Sequence, residues 1–268
     1  MKWYLAQMIS GPDTAANLAA VQRHLIEAQR QGCDAVQLPE MFARFGTSKN
    51  ADIADFEADF NGPVGAPLRD WARQYRLWIV AGTVPVRVAG EERPRARLHV
   101  LDADGELRAQ YDKIHLFDAT VGDAQGRYRE SDYYQPGETD AKTVDTPWGR
   151  WGLSVCYDLR FPELYRRLRA DGADTLLAPS AFTFTTGQAH WELLCRARAV
   201  ENGCYLVAAN QGGQHDAKRH SWGHSLMADP WGEVVQLGEG ETGLCVETDM
   251  ARLAEVRRNL PSWDNRRF

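Results

Sequence analysis

Residues 151–168, WGLSVCYDLRFPELYRRL, read as a buried strand that stops at Val155 and a helix that opens near Pro162. Asp158 is the expected cap of that helix, and Cys156 sits where the strand leaves its sheet. The same alternation of strand and helix continues in both directions. Downstream lie TLLAPS (175–180), a helix over roughly 188–202 and YLVAAN (205–210). Upstream lie WYLAQM (3–8), a helix from about Thr14 to Gln31, AVQL (35–38), a helix over about Val64 to Tyr75 and LWIVAGTVPV (77–86). This pattern predicts a layered α/β fold in which helices cover sheet faces. Hairpins are expected where LHVLDADGELRAQYD (98–112) turns at Asp102-Ala-Asp-Gly105 and where Asp229-Pro-Trp-Gly232 joins SLMA to EVVQL. Lys113 to Gln135 is the main irregular segment, and connections of that length in compact domains are usually functional.

With 268 residues, no Pro/Ser linker and no internal repeat, one domain over 1–268 is expected. A hydrophobic fraction of 44% and a charged fraction of 25% suit a packed, soluble chain. No run approaches the roughly 18 apolar residues of a membrane helix, and the first residues show no cleavage-type leader. A cytoplasmic protein without a membrane partner is therefore expected. The net charge of -6 gives no reason to approach phosphate backbones, despite Arg166, Arg167 and Arg169, so nucleic acid is not an expected partner. Cys33, Cys156, Cys195, Cys204 and Cys245 are odd in number and contain no Cys-x-x-Cys, which argues against disulfides and structural zinc. The ordinary role of a free cysteine is that of a small buried hydrophobe.

Cys156 departs from that role. A thiol just before a helix N-terminus feels the positive end of the macrodipole, and a neighbouring cation would lower its pKa further. Glu40 closes AVQLPE, so a carboxylate also lies at a strand end, where open α/β sheets place their ligand crevice. Pro39, Met41, Phe42 and Phe45 would enclose it, as suits a general base. Lys113 follows the strand ending in AQYD and would offer a fixed positive charge to a thiolate or an oxyanion. Glu130, in YRES (128–131), is positioned to hydrogen-bond Lys113 or a substrate amide. Taken singly, the lysine and both glutamates also read as solvated surface residues.

Taken together, LPEMF (38–42), YDKIHLFD (111–118), YRES (128–131) and GLSVCYDLRFPELYR (152–166) resemble the Glu, Lys, second-Glu and Cys motifs of the carbon-nitrogen hydrolase (nitrilase-like) family, in that order. The resemblance runs on through 179–211 and 223–235 and covers nearly the whole chain. It implies a four-layer αββα sandwich, usually paired as a homodimer. Residue by residue it implies Glu40 as general base, Lys113 as oxyanion stabiliser and proton donor, Cys156 as nucleophile and Glu130 as supporting carboxylate. Within the family, TTGQAHWELLCRARA (185–199) resembles two groups, the ω-amidases and the deaminated-glutathione amidases. YDLRFPEL and the segment 210–232 lie nearer to the second. The implied activity is hydrolysis of a C–N amide bond in a small anionic molecule, with nitrile and N-carbamoyl cleavage as neighbouring chemistries.

Such a reaction passes through a cysteine thioester, with the backbone N–H of Tyr157 joining Lys113 at the oxyanion. No step requires a metal or an organic cofactor. For a substrate with carboxylates at both ends, Arg129, Arg160, Lys218 and Arg219 are candidate grips. Three rival readings remain open from the residues themselves. One is a Cys-His enzyme using His115 or His190. Another is a metal site on His215, His220 and His224, whose irregular spacing lacks an acidic or thiol ligand. The third is a non-catalytic scaffold on the same fold.

Overall fold

The computed structural model describes residues 1–46, 51–55 and 57–267. In the first half, β1 (Lys2–Gln7) leads through α1 (Thr14–Arg30) to β2 (Ala35–Gln37), and α2 (Ala51–Ala54) and α3 (Gly65–Tyr75) precede β3 (Trp78–Val86). The hairpin of β4 (Arg95–Leu101) and β5 (Leu107–Asp112) follows, then a small one of β6 (Asp118–Thr120) and β7 (Arg127–Arg129). In the second half, β8 (Lys142–Thr146) and β9 (Gly149–Leu153) lead to α4 (Pro162–Ala170), β10 (Thr175–Leu177), α5 (Phe184–Asn202) and β11 (Tyr205–Ala208). Another small hairpin, β12 (Gly212–Gln214) with β13 (His220–Trp222), precedes β14 (Leu226–Ala228), β15 (Val234–Gln236), β16 (Thr242–Glu247) and α6 (Met250–Asn259).

Two six-stranded sheets result, ordered β16-β1-β2-β3-β4-β5 and β15-β14-β11-β10-β9-β8. Each has three parallel strands at its centre, β1-β2-β3 and β9-β10-β11, flanked by antiparallel ones. Strands covered on both faces must be apolar throughout, and every residue of WIVAGTVPV in β3 is buried. Alternate residues of β1 point opposite ways. Trp3 and Leu5 enter the core shared with Trp151 and Leu153 of the other sheet, with the Trp3 and Trp151 ring centroids 4.6 Å apart. Tyr4 and Ala6 join Val21 and Leu25 of α1 and Leu68 of α3 on the outer side. Leu164, Leu168, Trp191 and Ala199 of α4 and α5 pack in the core of the second sheet. The layers run helix, sheet, sheet, helix, the αββα sandwich that the sequence resemblance implies.

Local signals explain where the helices begin. Asp13 caps α1 by accepting from the N–H groups of Ala15 and Ala16, a device that contributes about 1 kcal/mol. The helix expected from 188 starts earlier, at Phe184, because the Thr183 hydroxyl caps it by accepting from Thr186 N. Gly187 sits inside that helix for a packing reason, since a Cβ there would lie 2.2 Å from the Cβ of Trp222. The segment expected to be irregular contains the β6–β7 hairpin. Two buried glutamines stitch the sheets together: Gln37 donates to Val207 O and accepts from Ala209 N, while Gln7 accepts from Ser225 N. Among the described residues no helix is long and apolar enough to cross a membrane.

Candidate active site

Past the end of β9, the chain makes a tight 3-10 turn over Cys156–Arg160 before α4 begins. Cys156 itself has φ 48°, a left-handed conformation that a residue with a side chain keeps only where its surroundings impose it. One such constraint is its N–H, which donates to Pro179 O beyond β10 at 3.1 Å. Asp158 does not cap α4, contrary to expectation. Phe161 holds the N-cap position without a side-chain hydrogen bond, and Pro162 behind it has no N–H to satisfy. The Asp158 carboxylate turns inward and is fully buried, accepting from Val155 N at 2.9 Å, the Tyr111 hydroxyl at 2.7 Å and His115 N at 3.1 Å. Because Tyr111 and His115 flank Lys113, this one carboxylate ties the cysteine turn to the lysine strand. Asp158→Asn turns an amide NH2 toward donors that need an acceptor, so a loss of about 1–3 kcal/mol in unfolding free energy is expected, with a fall in kcat. Denaturant unfolding and steady-state kinetics on the purified variant check both.

Glu40 lies just beyond β2, three residues past its last ladder position. Its carbonyl accepts from Gln211 Nε2 at 3.0 Å, and the next residue, Met41, has φ 57° and donates its N–H to Thr83 Oγ1 at 3.1 Å. Gly82 of β3 backs this corner, because a Cβ on it would meet Pro39 O at 1.9 Å. Lys113 extends from β5 and is held by its own N–H to Ala96 O and by Gly137 N to its carbonyl. Its ammonium donates to Glu40 Oε1 at 2.8 Å and to Glu130 Oε1 and Oε2 at 2.9 and 2.7 Å. Glu130 is fixed in turn by Phe117 N, 2.6 Å from Oε2. The Cys156 thiol lies close enough to Glu40, to Lys113 and to the backbone N–H of Ala181 for all three to act on its charge. Four segments distant in sequence thus converge, with Glu40 3%, Lys113 1% and Cys156 8% exposed. Tyr157 follows in the turn, its ring against Phe117 and Phe161.

The electrostatics differ from the expected low-pKa thiolate. Burial pushes the Cys156 thiol well above its ordinary pKa, the adjacent Glu40 pushes it further, and Lys113 opposes them. The macrodipole of α4 cannot reverse this, since that helix starts six residues on and the 3-10 turn intervenes. Burial alone would push the Lys113 ammonium down, but the Glu130 and Glu40 carboxylates outweigh it and hold the pKa well above normal. Glu130 is raised by its burial, with Lys113 opposing. The resting cluster is therefore a protonated thiol beside an ammonium that two glutamates share. A thiol in this state becomes a nucleophile only when a base takes its proton, and Glu40 is the carboxylate that acts on it most strongly.

The model of the family described as carbon-nitrogen hydrolase matches residues 5–258. The chain belongs to this family. A deaminated glutathione amidase of Yersinia enterocolitica is 42% identical over 272 residues, covering 98% of this chain and 92% of that protein. The crystal structure of the nitrilase and fragile histidine triad fusion protein NitFhit of Caenorhabditis elegans superposes with a TM-score of 0.91 at 40% identity. That match covers 99% of this chain and 65% of the fusion protein's, so the chain spans under two thirds of that longer relative. A mutant of the amidase from Nesterenkonia sp. AN1 superposes with a TM-score of 0.80 at 27% identity, over 97% of this chain and 99% of that one. That structure shows the result of Michael addition of acrylamide at its active-site cysteine.

In this carbon-nitrogen hydrolase the cluster lines a cavity of about 700 Å³. Of the arginines and lysine singled out as carboxylate grips, Arg129 and Arg219 line it. Arg160 instead lies over the rings of Tyr157 and Phe182 and beside His190 Nδ1, and Lys218 is exposed. Arg127 and Thr183 also line the cavity, and Ala181 both lines it and reaches the sulfur. Sequence reasoning missed all three, and only Arg127, two residues before Arg129 on one strand face, carried a local signal. The rival bases are engaged elsewhere: His115 Nδ1 lies 2.6 Å from Asp158 and its ring stacks on Phe161, while His190 sits against Arg160. His215, His220 and His224 point to separate partners, namely Ser10 O with Ser221 Oγ, Glu239 and Trp222 O. Among the described residues no three His, Cys, Asp or Glu side chains gather as metal ligands.

Proposed function

We propose that this chain hydrolyses the amide bond of a small dianionic substrate of the deaminated-glutathione type, with Cys156 as nucleophile, Glu40 as base, Lys113 and the Tyr157 N–H at the oxyanion, and Glu130 supporting Lys113. The observation that carries this reading is the contact of one sulfur with Glu40 and of Glu40 with Lys113, all buried beside one cavity. Glu40 takes the thiol proton as sulfur attacks the carbonyl carbon, and the Lys113 ammonium faces the oxygen that becomes negative. The C–N bond breaks as Glu40 returns its proton to the departing amine. Water, deprotonated by Glu40, then attacks the thioester, and the acid leaves as the thiol re-forms. The cysteine adduct on the Nesterenkonia amidase supports a nucleophilic cysteine in this architecture.

The relative of Yersinia enterocolitica suggests the substrate class. A cavity of about 700 Å³ supports it too, since that space suits a molecule of tripeptide size better than a short ω-amide. Glu40→Gln is expected to slow acylation and deacylation by about 100-fold or more, the usual contribution of a positioned base. Stopped-flow release of amine and steady-state release of acid report the two steps separately; unchanged rates in both would remove Glu40 from the mechanism. A panel of deaminated glutathione, α-ketoglutaramate, a nitrile and an N-carbamoyl amino acid tests the substrate class, and preference for any of the last three over the first would overturn it.

The residues 1–268 act as one catalytic unit in this reading, paired with a second copy. Leu193 and Val200 lie two helical turns apart on α5, and that helix meets the segment carrying Trp231 and Val235 where Val200 approaches Gly232 and Gln236 donates to Glu192; all four apolar side chains are exposed, which supports an apolar pairing surface.

A further inference from the structure

The cavity carries an uneven charge. Five basic side chains line it against three acidic ones, although the chain as a whole is acidic at -6. Around the sulfur the balance is internal, because Lys113 is taken up by Glu40 and Glu130. What remains is a set of arginines facing Asp132 alone among the lining acids. Such a set draws in anions and holds carboxylates by paired N–H donors.

The arginines are not equivalent. Arg219 is spent on Asp216 at 2.7 Å and on Gly46 O at 3.1 Å, and Arg129 lies 3.9 Å from Asp118. Arg44 donates to Thr14 Oγ1. Arg127, on β7, has no carboxylate partner among the described residues, and it is exposed. A guanidinium without a carboxylate partner, on the wall of a cavity lined by more basic than acidic side chains, is free to hold a carboxylate of the substrate.

We propose that Arg127 binds the carboxylate of the leaving group, so that the β6–β7 hairpin selects amides of an acidic amine or dipeptide over amides of ammonia. This rests on the amide-hydrolase reading above. The assignment to the leaving group follows from depth. Cys156 is buried and Arg127 exposed, so the group that reaches Arg127 is the one more remote from the scissile carbon. In 2-oxoglutaryl-cysteinylglycine the glycine carboxylate is separated from that carbon by more bonds than the acyl carboxylate is. The amide of ammonia has no carboxylate on that side at all.

The experiment compares wild type with Arg127→Ala and Arg127→Lys on three amides that share the 2-oxoglutaryl acyl group, with ammonia, cysteinylglycine and cysteinylglycinamide as leaving groups. For Arg127→Ala the selectivity ratio, kcat/KM for cysteinylglycine over that for cysteinylglycinamide, is expected to fall about 10- to 100-fold, the weight of a charge-assisted hydrogen-bonded pair. The change should lie in KM rather than kcat, as for a contact made equally before and during reaction, and Arg127→Lys should recover part of it. Equal effects of Arg127→Ala on all three amides, or no effect on any, would overturn the assignment while leaving the amidase reading standing. A wild-type protein that cleaves none of the three would overturn both.

Discussion

Cys156→Ala is expected to lower turnover by at least about 10⁴-fold, the scale seen when a covalent nucleophile is removed and only binding and oxyanion contacts persist. Among the described residues no other cysteine lines the cavity with Glu40 and Lys113, so the residual reaction would require water to attack the amide directly. Stability should change little. The side chain is small and borders the cavity, so its loss leaves little new void, and alanine carries the same left-handed backbone strain as cysteine. Intact-protein mass after rapid mixing with substrate gives a second readout: wild type should gain the mass of an acyl group on one cysteine and the variant should not. Because burial and Glu40 hold the thiol in its protonated form, alkylation of Cys156 in the resting protein should quicken steadily as pH rises past neutrality rather than level off in the acid range. Turnover within tenfold of wild type in a folded Cys156→Ala protein would remove the nucleophile, and with it the thioester.

Lys113→Met should carry the second large effect, on activity and on folding together. The substitution keeps most of the volume of a side chain that is 1% exposed but deletes the charge that Glu40 and Glu130 share. Two buried carboxylates then face each other with no cation, and breaking a buried ion pair from one side typically costs about 3–5 kcal/mol. Loss of an oxyanion donor alone costs about 10²- to 10³-fold in kcat. A variant that melts with wild-type Tm would show that the ammonium does not hold the cluster. One that turns over at the wild-type rate would place the oxyanion elsewhere.

Period and turn chemistry along the chain suffice for the alternation of strands and helices, because each depends on neighbours a few residues apart. Trp3 and Tyr4 face opposite ways for that reason, and Asp102-Ala-Asp-Gly105 closes a hairpin on its own. Strand ends were equally readable, and they are where Glu40, Lys113 and Cys156 lie, since a polar residue after a buried run marks the place where chain leaves a sheet. The four motif blocks, taken together, pointed to the layered architecture. Packing across long separations settled the rest. Asp158 looks like a helix cap when only its neighbours are counted, yet Tyr111 and His115, more than 40 residues away, supply the donors that turn it inward. The thiol of Cys156 looks acidic beside a helix and a lysine, yet the depth of its burial and the contact with Glu40 raise its pKa instead. Arg127 and Arg219 are alike in composition, and only the fold brings one of them to Gly46 O, 173 residues away, and leaves the other open to the cavity. Conformation is largely written by short-range sterics and hydrophobic period, whereas the state of a charge depends on every group and every water excluded around it, and those are brought together only when the two sheets close.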